Sequence, residues 1–124
     1  MALVSWECLT INENEEYRMN RFIGSGRLTK SAIVHGGNRK ALKFTIATKY
    51  GYDSNNEKER VEFVPCVLFT PPNDKLGIFL VAHGKGVFVE FEGRVHTSSF
   101  EKDGQRKYST EVVVDNRTLN IITR

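Results

Sequence analysis

The stretch KALKFTIATKYGYD, Lys40 to Asp53, interleaves cations with rings. Leu42, Phe44 and Ile46 alternate with Lys43, Thr45 and Ala47, as in a strand with one buried face, and the run closes on Lys49, Tyr50 and Tyr52. Lysine ammonium groups pair with phosphates and aromatic rings stack on flat bases, so this combination has the chemistry to hold a single-stranded nucleic acid, at about 1–3 kcal/mol per stacked base. The same alternation continues downstream. In FVPCVLF, Val64, Cys66 and Leu68 fall on one side and Phe63, Pro65, Val67 and Phe69 on the other. In GVFVEFEGRVHTSSF, Val87, Val89, Phe91 and Val95 oppose Phe88, Glu90, Glu92, Arg94, His96, Ser98 and Phe100. If the first set in each run is the core, Phe63, Phe69 and Phe100 are left for the outer surface, and Tyr50 and Tyr52 fall in a loop between the second and third strands.

Catalytic alternatives find less support. His35, His83 and His96 have no metal-ligand spacing with each other or with Cys8 and Cys66, and Glu90 and Glu92, two apart on a strand, read as a solvated edge. GSGRLTK lacks the Walker spacing and no helix follows it. The expectation is a binding protein that is not an enzyme and needs no cofactor and no metal. With only two cysteines one bridge is the most the chain can form, and Cys66 inside its apolar run reads as a buried free thiol.

These residues need a scaffold, and at 124 residues the chain makes one domain with its own core. No stretch approaches the ~18 consecutive apolar residues of a membrane span, so no membrane partner is expected, and a cytoplasmic, nucleoid-associated location is. Charge is unevenly distributed. Residues 1–17 carry four glutamates and no Lys or Arg, −4, whereas residues 18–124 hold all 18 basic and the other 11 acidic residues, +7. We read an acidic N-terminal arm (1–17) ahead of a basic domain (18–124), a balance that suits a polyanion. The arm either competes with phosphates for the basic surface or adds a strand through ALVSWECLTI.

Strand signals dominate the domain. MNRFIGSGRL reads as a short strand in which Gly24 and Gly26 suggest a bulge or tight bend, and HGGNRK as a turn. ALKFTIAT, VEFVPCVLF, GVFVEFEGRVHTSSF and KYSTEVVVD supply strands two to five, EKDGQR a hairpin turn through Asp-Gly, and TLNIITR a short further strand. NDKLGIFLVAHG is the one helix candidate. An all-β chain of five strands with one short helix between strands 3 and 4 has the order of an OB-fold, a five-stranded Greek-key barrel whose exposed face takes oligonucleotides or oligosaccharides.

At these residues the chain resembles a known family. MNRFIGSGRLTK, KFTIAT, VLF, GKGVFVEFEGRV and GQRKYSTEVVVD are similar, in order and spacing, to segments of the bacterial and mitochondrial single-stranded DNA-binding proteins, the SSB family, from Met19 to about Asp115. The resemblance implies an OB barrel, single-stranded DNA as partner in replication, recombination or repair, a homo-oligomer (tetramer favoured, dimer possible), and stacking roles at Tyr52, Phe63, Phe69 and Phe100. The chain departs from the pattern in places. Family members commonly carry Trp at the positions of Tyr52, Phe63 and Phe100, and basic residues at those of His96 and Ser98. The phosphate path is therefore expected to run through Arg21, Lys43, Lys49, Lys85 and Arg94, with His96 joining on protonation. Many members also end in an acidic tail that recruits replication enzymes. No such tail precedes Arg124, which suggests a shortened form or a phage, plasmid or specialised member. The competing expectation is a primosome-type OB adaptor that binds replication proteins as well as DNA.

Overall fold

The computed structural model describes residues 19–36, 41–69 and 74–122. The acidic arm with Cys8, and most of the HGGNRK turn, lie outside the described residues. Among the described residues, seven strands and one helix follow in chain order: β1 (Phe22–Leu28), β2 (Ile33–His35), β3 (Ala41–Asp53), β4 (Lys58–Phe69), α1 (Lys75–His83), β5 (Phe88–Lys102), β6 (Gln105–Val114) and β7 (Asn120–Ile122). Five of them close a barrel in the order β1-β3-β4-β6-β5, because β1 pairs with β3 at one edge and with β5 at the other. The short helix stands between β4 and β5, the third and fourth strands of the sequence reading, as an OB-fold requires. β2 is a strand that the sequence reading did not foresee. Its three residues pair with the start of β3.

Alternation explains the core. Leu42, Phe44 and Ile46 of β3, Cys66 and Leu68 of β4, Val89 and Phe91 of β5, and Val112 and Val114 of β6 are buried in one cluster with Leu28. Phe91 meets Phe44 edge-on at 6.4 Å between centroids and Phe22 at 5.7 Å. Helix α1 closes one end of the barrel by sinking Leu80 into this cluster, and the Leu80 carbonyl accepts from the Ala32 N–H at 3.0 Å. Asp74 caps the helix by accepting from the Leu76 N–H at 2.9 Å.

Two facing expectations are corrected. Val95 is 42% exposed, although it shares the parity of Val89 and Phe91. The pairing with β1 ends at Gly93, and that of β6 with β4 is confined to Cys66–Val112 and Val67–Val113, so no barrel lies beneath the rest of β5. The β5–β6 hairpin therefore projects as a free arm, exposed from Arg94 to Thr110. Its two-residue turn, Asp103-Gly104, has positive φ at both positions, 55° and 77°, the form that an Asp-Gly hairpin favours. Val67, of outer parity, is buried nonetheless. It is flanked by Lys43 and Val113, and an ion pair from Lys43 on β3 to Glu111 on β6 reaches across its strand.

The glycines of β1 make no bulge. From Phe22 to Arg27 the strand runs in unbroken register against Gly93 to Phe88. Gly26 serves close approach instead, since a Cβ there would lie 2.5 Å from the Ala47 carbonyl oxygen, and one on Gly93 would lie 2.4 Å from that of Val113. Both obstacles are backbone of a neighbouring strand, β3 across from Gly26 and β6 across from Gly93. Gly26→Ala and Gly93→Ala should each destabilise the fold by about 1–3 kcal/mol in urea melts, whereas Gly51→Ala, whose nearest neighbour is 3.9 Å away, should be close to neutral.

The Cys66 thiol is buried and donates to the Val64 carbonyl at 3.4 Å. Burial, reinforced by the nearby Glu111 carboxylate, pushes its pKa up to about 12. In a Cys8→Ser variant the remaining thiol should resist a disulfide reagent at neutral pH until denaturant is added. Rapid labelling of the folded chain would contradict this.

Candidate nucleic-acid interface

Along β3 and β4 the strand pairing decides which side chains share the barrel's outer face. Lys43, Thr45, Ala47 and Lys49 face outward, opposite Val67, Pro65, Phe63 and Val61. In a regular ladder Tyr52 would fall on the other side, with Phe44 and Ile46. A β-bulge between Lys49 and Gly51 adds one residue to β3, so that Tyr52 pairs with Glu59 and returns to the face of Lys49 and Phe63. The Lys49–Glu59 ion pair at 2.9 Å lies on this same face. Tyr50 and Tyr52 therefore belong to a projecting strand. The loop expected for them is only Ser54–Glu57, and β3 continues past the core to Asp53.

The sequence-derived residues separate into groups. Tyr52, Lys49 and Phe63 come together on one face of the β3–β4 arm, with Tyr52 61% and Phe63 65% exposed. Phe69, 51% exposed, shares that face opposite Ala41, six residues from Phe63 and so about 20 Å along the strand. Lys43 and Arg94 lie in one lateral row through Val67 and Val113, and His96 stands opposite Glu111 in the next. Phe100, 47% exposed, is near the tip of the β5–β6 arm opposite Lys107, apart from the other rings. Arg21 precedes β1 at the far end of the barrel, and Lys85 lies in the turn between α1 and β5.

Electrostatics divides the cations further. Arg21 is paired with Glu92, Lys49 with Glu59, and Lys43 with Glu111 at 3.9 Å. A phosphate must compete with those carboxylates. Arg94 and Lys85 have no carboxylate partner among the described residues.

Sequence reasoning passed over one pair. Arg27 stands over the Phe88 ring, 5.4 Å from its centroid, and donates from Nη1 to the Gly86 carbonyl at 3.0 Å. Alternation had put Phe88 on the outside. The signal for Arg27 exists only in the closed barrel, where β1 pairs with β5.

Comparison with known proteins identifies the family and the fold. A family model described as the Single-strand binding protein family matches residues 19–120. A Streptococcus pyogenes protein named Single-stranded DNA-binding protein 2 is 33% identical over 101 residues, 79% of this chain and 60% of that protein. Its counterpart in Lactiplantibacillus plantarum, a Single-stranded DNA-binding protein, is 34% identical over 104 residues, 82% of this chain and 50% of that one. The chain thus spans only about half to three-fifths of the length of these two relatives. The barrel also superposes on a solved structure titled Plasmodium falciparum SSB complex with ssDNA, with a TM-score of 0.65 at 23% identity, over 87% of this chain and 96% of that one.

The Asp53 carboxylate shapes the turn of the β3–β4 arm. Its oxygens accept from the Asn56 side-chain amide at 2.7 Å and the Asn55 N–H at 3.1 Å, and these donors hold its pKa below the usual value. A lowered folded pKa means that the turn keeps this support above the ordinary aspartate value, about 3.9, and loses it as pH falls through the lower folded one. Followed by NMR, the Asn55 and Asn56 amide resonances should titrate with a midpoint below that value and become insensitive to acid in Asp53→Asn. A midpoint at the ordinary value would contradict the turn geometry.

Proposed function

The chain belongs to the single-strand binding protein family, and on that premise we propose that it coats single-stranded DNA without catalysis, shielding it during replication, recombination or repair. The observation that carries this reading is the exposed face of the β3–β4 arm. Two rings more than half exposed, Tyr52 and Phe63, share it with Lys49 on a rigid ladder, so bases can stack at little ordering cost while the ammonium group meets a phosphate.

Phe69, Phe100, Lys43, Arg94 and His96 extend the proposed path to the far end of β4 and around β6 to the second arm. Arg21 and Lys85 are its outer phosphate contacts. Binding the open strand and not the duplex draws melting forward by mass action, which removes hairpins. One OB barrel spans about 4–16 nucleotides, so the reading includes a homo-oligomer, a tetramer before a dimer, that lengthens the footprint. Exposed Ile23, Ile33 and Val34 favour such self-association.

Stacking and charge are separable by experiment. Phe63→Ala or Tyr52→Ala should weaken poly(dT) binding by about 1–3 kcal/mol and leave its salt dependence unchanged, because no counterion is released at a ring. Lys49→Ala should instead lower the slope of log K against log salt by roughly 0.7. Glu59→Gln should tighten binding at low salt, since it frees Lys49 from its carboxylate. Unchanged binding by Phe63→Ala, with fold and oligomer intact, would contradict the assignment of this face.

A further inference from the structure

The closed barrel places four residues in one row across its outer face: Phe88 on β5 opposite Arg27 on β1, Arg27 opposite Ala47 on β3, and Ala47 opposite Phe63 on β4. Adjacent strands are about 4.8 Å apart, so Arg27 lies about 10 Å from Phe63 with only a methyl group between them. An open groove follows this row, lined by Ser25, Gly26, Arg27, Ala47, Lys49 and Phe88, together with Val61.

The guanidinium in this groove is already ordered. The Phe88 ring lies under it, the Gly86 carbonyl accepts from one of its nitrogens, and no carboxylate pairs with it among the described residues. Arg27 is nevertheless exposed, so its plane is accessible from outside. A planar cation held on a ring is a stacking platform for a base and a donor to phosphate at once.

We propose that Arg27 and Phe88 form a further nucleotide subsite, through which a single strand leaving Phe63 passes laterally across β3 and β1, over Ala47, with Lys49 contacting its phosphates. This rests on the single-strand reading and extends the path around the barrel towards Lys85, the neighbour of Gly86.

The test is titration of the full chain with a long poly(dT) strand and with a dT oligonucleotide just long enough to cover the β3–β4 arm. Arg27→Ala should weaken binding to the long strand about tenfold or more and lower its salt slope by roughly 0.7, with little effect on the short one. Arg27→Lys should restore the slope and leave much of the affinity loss, because an ammonium group is not a stacking plane. Phe88→Leu should weaken the long strand alone, and Ala47→Leu, which fills the path and removes neither ring nor charge, should do the same.

If Arg27→Ala and Phe88→Leu bind the long strand like the parent while Phe63→Ala is weakened, the subsite is overturned and the function stands. If Arg27→Ala dissolves the oligomer with the affinity per protomer unchanged, the row is a contact between copies and the proposal fails. A parent chain that does not bind poly(dT) overturns the functional reading and this one with it.

Discussion

Closure of the sheet through β1 is the constraint on which the rest of the molecule depends. One seven-residue strand must bond to β5 along most of its length and to β3 at its end, where the backbones meet so closely that Gly26 faces the Ala47 carbonyl oxygen where a Cβ would need to be. Once that seam forms, the barrel interior is set by alternation, and Ile46, Leu68 and Val89 become fully buried. Hydrophobic burial stabilises the closed state. At the β1–β3 seam there is no steric room for it without Gly26.

Closure also decides what is left outside. Only the barrel-forming parts of β3, β4, β5 and β6 have a core beneath them, and the remaining lengths continue as two twisted ribbons with both faces in solvent. Such ribbons offer polar backbone edges and rings on a firm ladder, which suits contact with an extended polymer better than a pocket would. The β3 bulge refines the arrangement by shifting Tyr52 one step in parity, onto the side of Lys49 and Phe63. Ion pairs such as Lys49–Glu59 temper the basic surface and give competing phosphates a carboxylate to displace. In the proposed contact, electrostatics adds salt sensitivity to stacking whose geometry the rings define.

Much of this was legible in the sequence, for reasons that can be named. Alternation in KALKFTIAT and FVPCVLF identified Leu42, Phe44, Ile46, Cys66 and Leu68 as core, and Asp103-Gly104 identified the second hairpin turn, because both signals are local. The order of five strands with one helix between the third and fourth pointed to the OB topology, and the resemblance to the SSB family implied the same fold. What failed was non-local. Val95 obeys its parity and is exposed because the barrel ends at Gly93, and Val67 disobeys burial by parity because its neighbours in the sheet cover it. The tyrosines were misplaced into a loop because Gly51, at the bulge that carries β3 past Lys49, reads equally as a turn glycine in sequence. Arg27 was passed over because its ring partner is 61 positions away in sequence and adjacent only after closure.

The central claim is that single-stranded DNA lies on the outer face of the β3–β4 arm. Photo-crosslinking of a halogenated deoxyuridine strand to the full chain, followed by mass spectrometric mapping, addresses that contact without any substitution. The account predicts crosslinks at Tyr52 and Phe63, suppressed by excess unlabelled poly(dT). Crosslinks confined to α1, or to Tyr108 on the opposite side of the second arm from Phe100, would contradict it.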